Sequence, residues 1–154
     1  MKKFFLASMA MLSVIVFSAC SSKDSIAGRA AGQYTVERNT SVVGMPTVIE
    51  PDIVKLKVKA EADYFVKITI PSTNYNLGGT VKNIPEFDIH AVPVIDNNEN
   101  GTYIPNYSFK IEGTKNIVGT IIGDIEEDGD VDLTVQYTYG DMPLAIKQEF
   151  ESID

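Results

Sequence analysis

Val131-Asp-Leu-Thr-Val-Gln-Tyr-Thr-Tyr139 decides the fold, because apolar and polar residues alternate along it without a break. A period of two is that of a β-strand with one face in the core and the other in water. Residues 117 to 125 show the same period, with Ile and Gly at alternate positions. Between the two stretches, Asp128-Gly129 provides a glycine able to adopt the positive φ of a tight turn. Together they predict a β-hairpin.

Similar alternation recurs upstream, in residues 54–60, 64–70 and 107–111. Less regular stretches that also predict strands are Gln33–Glu37, Thr80–Ile84, Phe87–Val94 and Ala145–Glu151. No segment after residue 19 carries a helical apolar stripe longer than two turns. We therefore expect an all-β domain of eight or nine antiparallel strands. Periodicity alone does not decide whether they close as an up-and-down barrel or form a β-sandwich.

The first twenty residues predict export and lipidation. Lys2-Lys3 precedes an uncharged apolar run from Phe4 to Phe17, which has the length of a signal-peptide core and is too short to span a bilayer. The run ends in Ser18-Ala19-Cys20, which resembles the lipobox of bacterial lipoproteins. We expect residues 1–19 to be a signal peptide, Cys20 to carry the lipid, residues 20–30 to be a flexible tether, and residues 31–154 to be the barrel domain.

The composition of the chain without residues 1–19 argues against several classes of function. Removing Lys2 and Lys3 from 13 basic residues leaves 11 against 21 acidic ones, a net charge near −10. This charge argues against nucleic-acid binding and leads us to expect no basic stripe for anionic lipid. Cys20 is the single cysteine, so a disulfide framework and a cysteine-based zinc site are both excluded.

The C-terminal stretch from Ile117 to Phe150 resembles the calycin-like domain found in many lipoproteins of gut anaerobes, and Ala31-Gly-Gln-Tyr-Thr35 is similar to that family's first strand. Glu151-Ser152 stands where family members often carry a glycine. The resemblance implies an eight-stranded, lipocalin-like antiparallel barrel on an outer-membrane lipoprotein of a Gram-negative bacterium, at its periplasmic face or on the cell surface. Asp24-Ser25-Ile26 also resembles an O-glycosylation acceptor of such bacteria.

The sequence offers few candidate catalytic or metal-binding residues. His90 is the single histidine, its neighbours Ile89 and Ala91 place it towards solvent, and no Gly-x-Ser-x-Gly elbow exists. Asp96 to Gly101 and Asp124 to Asp132 are acidic enough for calcium, yet neither has the glutamate expected at the twelfth loop position. We interpret both as solvated turns. The prediction is a non-enzyme with no catalytic residue, metal or cofactor.

Two hypotheses for binding stay open. Tyr107, Tyr137, Tyr139 and Gln148 fall in the inward register, where they either line a site for a small apolar ligand or fill the core. Alternatively, a packed barrel contacts a protein or glycan through the Asn-rich loops predicted at residues 74–79 and 96–106. In both, the membrane partner is reached through the lipid on Cys20.

Overall fold

The computed structural model describes residues 24–46, 49–77, 79–97 and 101–153. The predicted signal peptide and Cys20 lie outside these ranges. Within them the chain forms one short helix and eleven strands, whose bounds are α1 Ile26–Ala30, β1 Gly32–Val42, β2 Asp52–Ala62, β3 Phe65–Ile70, β4 Thr73–Leu77, β5 Thr80–Ile84, β6 Phe87–Pro93, β7 Ile95–Asp96, β8 Gly101–Ile111, β9 Ile117–Glu126, β10 Val131–Tyr139 and β11 Ile146–Ser152.

Nine of the strands form one antiparallel sheet in the order β6-β3-β2-β1-β11-β10-β9-β8-β7. Neighbours in the sheet are neighbours along the chain, except where β4 and β5 are inserted and where β1 pairs with β11. That is the connectivity of an up-and-down barrel. The predicted all-β barrel is confirmed, and eight of the nine strands in this sheet have six or more residues.

One ribbon, residues 87–96, brings the sheet close to full closure. Its first part, β6, pairs with β3, whereas its last part, β7, pairs with β8. Between these pairings β6 and β8 run side by side without a ladder, and the rings of Phe87 and Phe109 meet there with centroids 6.4 Å apart. We call the line along which β6 and β8 meet the seam. The barrel is therefore nearly closed, with side-chain packing in place of backbone bonds along the seam.

The helix α1 covers one end of the barrel, which we call the helix end. Ser25 caps it by accepting a hydrogen bond from Gly28 N at 2.9 Å. Ala27 and Ala30 are buried against the strands, and Ala27 N donates to Asp63 O at 2.9 Å. The prediction of a tether reaching residue 30 is thus wrong for residues 26–30. Five residues are too few to show a helical stripe, and here the two small alanines bury the helix.

The β4–β5 hairpin covers the opposite end, which we call the hairpin end. Tyr75 and Ile84 point inward and are 3% and 1% exposed. On the outer side, Asn83 Nδ2 donates to Asn74 Oδ1 at 2.6 Å across the strands. Two predictions are corrected here: residues 74–77 are strand rather than loop, and Thr80–Ile84 belongs to this cap rather than to the barrel wall. The polar, Asn-rich sequence of β4 is typical of a loop, and its single buried tyrosine does not create the alternation that would predict a strand.

The core runs without interruption from cap to cap. Ala27 and Ala30 at the helix end, Tyr75 and Ile84 at the hairpin end, and the inward residues of the barrel strands form one buried cluster. The alternating glycines of β9 serve this packing, because a Cβ at Gly119 would overlap the Gln136 carbonyl oxygen and one at Gly123 would overlap that of Asp132. The barrel interior is therefore built as a packed core.

Candidate functional site

The structure brings two of the predicted site residues together deep in the core. Tyr137 and Gln148 are 1% and 0% exposed, and the Tyr137 hydroxyl donates to Gln148 Oε1 at 3.4 Å. Gln148 Nε2 in turn donates to Thr73 Oγ1 at 2.6 Å. Burial raises the pKa of Tyr137 to about 12. These polar groups are satisfied by one another, so they serve the packed interior.

Arg38 extends this polar chain to the base of the hairpin cap. Its guanidinium binds Asp52 through two bonds of 2.9 and 2.6 Å, and its Nη1 donates to Pro71 O, Ser72 O and Thr73 Oγ1 at 3.2, 3.0 and 2.9 Å. Arg38 is 4% exposed. Sequence reasoning missed this residue. The signal was present, since Arg38 shares the inward register of β1 with Val36 and Val42.

Tyr139 and Tyr107 lie elsewhere. Tyr139 is half-buried near the hairpin end, with the Lys115 ammonium 5.2 Å from its ring centroid. Tyr107 is half-buried on the seam, where its hydroxyl lies 3.5 Å from His90 O. The four residues predicted as one interior site are therefore distributed over three places.

A recess at the hairpin end combines apolar and hydrogen-bonding groups. It encloses about 520 Å³ between the β4–β5 hairpin and the turns at residues 113–116 and 140–143. Tyr75 forms part of its lining and donates to Met142 Sδ at 3.2 Å, and burial raises the pKa of Tyr75. The rim carries Lys82 and Lys115, and no carboxylate of the described residues lies within 4 Å of either ammonium. We call this the hairpin-end recess. Its volume is in the range of small-ligand sites.

His90 borders a second groove, of about 590 Å³, along the seam. Its ring is 62% exposed, as the sequence predicts, and its Nδ1 lies 2.6 Å from Glu61 Oε1. Glu61 Oε2 accepts from Ala91 N, a residue with a φ of +52° at a bulge in β6. Burial acts to raise the pKa of Glu61, but the bonds from Ala91 and His90 outweigh it and lower that pKa. His90 thus supports the bulge.

The described residues of the two acidic segments considered for calcium lie at the helix end. Glu126, Asp128 and Asp130 approach one another within 4.8 Å and are all exposed, and Asp130 N donates to Asp128 Oδ1 at 3.1 Å within the turn. In the other segment, Asp96 forms an ion pair with Arg29 at 3.2 Å. The contact loop predicted at residues 96–106 is corrected, because β8 already begins at Gly101.

Comparison with known proteins supports the fold. No family model and no curated protein matches the chain. A crystal structure described as that of a "putative outer membrane protein" from Bacteroides fragilis superposes with a TM-score of 0.71 at 22% identity. The match covers 84% of this chain and 52% of that protein, so this chain corresponds to about half of its length. Within the described residues, no helix combines the length and hydrophobicity required to cross a bilayer.

Proposed function

We propose that this chain is a lipid-anchored lipoprotein of the outer membrane, held by acyl chains on Cys20 and carrying a calycin-like barrel. The signal-like residues 1–19, the lipobox-like Ser18-Ala19-Cys20 and the C-terminal resemblance support it. So does the description of the structural neighbour from Bacteroides fragilis as an outer membrane protein. In this proposal, the helix end faces the membrane because α1 begins only a few residues after Cys20.

The barrel then acts as a non-catalytic binding module through the hairpin-end recess, which faces away from the membrane. The observation that carries this is the contrast between a continuous packed core and an open recess of about 520 Å³ at the distal end. Tyr75, Tyr139 and Met142 give it an apolar lining, and its rim offers amides, two ammonium groups and the Asp141 carboxylate. A small amphipathic ligand fits that combination.

The second candidate is an interaction module that contacts a surface protein or glycan through the same end. The outer side of the hairpin favours it, since Asn74 and Asn83 present amide groups to solvent. The two candidate functions differ in whether a small ligand occupies the hairpin-end recess.

One experiment tests the proposal. The wild-type chain and the Cys20→Ser, Tyr139→Ala and Tyr107→Ala variants are produced in the native host, fractionated, and studied by native mass spectrometry. We expect Cys20→Ser to leave the membrane fraction, because it has lost its acyl anchor. A small molecule should co-purify with the wild type and be lost on Tyr139→Ala.

Tyr107→Ala is the matched control, because it removes a half-buried tyrosine outside the recess. It should keep both anchor and ligand. A ligand-free wild type with an intact protein or glycan complex would favour the second candidate. Membrane retention of Cys20→Ser would refute the anchor.

A further inference from the structure

The β2–β3 turn exposes two adjacent aromatic side chains at the helix end. Tyr64 and Phe65 are 59% and 43% exposed. The beginning of α1 lies against the same turn, since Ala27 N donates to Asp63 O, and Asp24 and Ser25 line a small depression together with Tyr64. Asp24, the first described residue, therefore lies close to Tyr64.

Behind the turn lies a stripe of lysines on the outer face of the barrel. Lys59 of β2 stands directly opposite Lys67 of β3, and Lys57 and Lys55 continue the line at alternate positions. Facing like charges destabilise a sheet, so this arrangement carries a cost. Lys67 pairs with Asp88, but no carboxylate of the described chain lies within 4 Å of the other three ammonium groups. The expectation of no basic stripe was wrong, because net charge does not show where charges lie.

A row of acidic residues starts on β1, beside β2, and extends onto the opposite wall of the barrel. Glu37, Glu151, Asp132 and Asp124 face one another across four neighbouring strands, and the exposed acids of the β9–β10 turn follow. In the ring of strands, the β9–β10 pair lies across the barrel from the β2–β3 pair. The helix end therefore has a basic, aromatic side and an acidic side.

We propose that the β2–β3 turn is a second membrane contact, which docks on an anionic bilayer and orients the barrel. Tyr64 and Phe65 enter the headgroup region, where aromatic rings are favoured, and the three lysines nearest the turn, Lys59, Lys67 and Lys57, meet lipid phosphates. Asp63 and Asp24 add two negative charges beside the turn, while Glu61 is engaged by His90 and Ala91. The contact rests on the proposed anchor, because the acyl chains at Cys20 bring this turn to the surface.

The test uses the lipidated chain with Tyr64→Trp, which introduces the sole tryptophan. The protein is reconstituted into vesicles of phosphatidylcholine with or without phosphatidylglycerol, and tryptophan quenching by brominated lipid is measured. We expect strong quenching in the anionic vesicles only. Lys57→Gln with Lys59→Gln should reduce it, since each lysine near an anionic surface favours the docked state by about fivefold.

Two controls are matched to these variants. Val118→Trp places the reporter on an exposed position of β9 near the hairpin end and should stay unquenched. Lys82→Gln with Lys115→Gln removes the same charge at the hairpin end and should leave the quenching of the Tyr64→Trp reporter unchanged.

Two results would overturn the docking: equal quenching of the Tyr64→Trp and Val118→Trp reporters, or quenching that does not depend on the β2 lysines. Vesicle flotation separates this proposal from the proposed anchor. Protein that fails to float refutes the anchor, whereas floating protein whose Tyr64→Trp reporter is unquenched refutes the docking alone.

Discussion

At the scale of single residues, a few polar side chains inside the barrel decide how its hairpin cap is held. Thr73 accepts from both Arg38 and Gln148, and Gln148 accepts from Tyr137. Buried polar groups are stable only when they are bonded, so each of these residues depends on its neighbour. The cap is therefore fixed to the wall by a polar chain as well as by apolar packing.

Tyr137 gives this chain a measurable pH dependence. In the unfolded chain its pKa is the ordinary 10.0, whereas in the barrel it is about 12. Below pH 10 both states keep the proton; above it the unfolded state releases the proton first, so stability falls towards pH 12. Urea unfolding of wild type and Tyr137→Phe should show a stability difference that changes by about 1 kcal/mol between pH 8 and 11, against the wild type. A constant difference would contradict the raised pKa.

At the scale of elements, strict alternation was a reliable guide and local polarity was not. The strands at residues 117–125 and 131–139 were predicted almost to their ends, because their inward residues are uniformly apolar or glycine. Thr80–Ile84 was predicted as a strand, but its pairing with β4 as a cap was not, since Tyr75 is buried against turns distant in sequence. The hairpin-end recess could not be predicted for the same reason. Tyr139 was predicted as a site residue, but the other lining residues lie on the β4–β5 hairpin and on the turns at residues 113–116 and 140–143.

The cap should contribute to stability through one side chain. Tyr75→Ala removes a ring that is 3% exposed, and we expect a loss of about 3 to 5 kcal/mol in the free energy of unfolding, measured by urea denaturation. Val81→Ala, on the same hairpin but 68% exposed, should change it by less than about 0.5 kcal/mol. Equal effects of the two substitutions would mean that the cap is loosely attached.

At the scale of the whole molecule, the outer face carries a lysine stripe on β2 and β3 and an acidic row that runs from β1 to β9. The acidic row places Glu151 between Glu37 and Asp132, directly opposite both. Glu151→Lys should raise the free energy of unfolding by about 0.5 to 1 kcal/mol, because it replaces two facing repulsions with attractions. In about 1 M salt, where the screening length is ~3 Å, most of this gain should vanish. Glu86→Lys is the control, an exposed acid outside the row, and an equal gain there would point to net charge alone.

The pairing of β1 with β11 joins the strands of the sheet that come first and last along the chain. This has a consequence for the order in which the strands assemble. Val36 lies opposite Ser152, so the ladder that closes the wall links residues far apart in the chain. During folding, β1 can pair with β2 early but must wait for β11. Until that last strand arrives, β1 has an open edge able to pair with another chain. Docking of β11, rather than formation of the earlier hairpins, is thus the step that removes the open edge of β1.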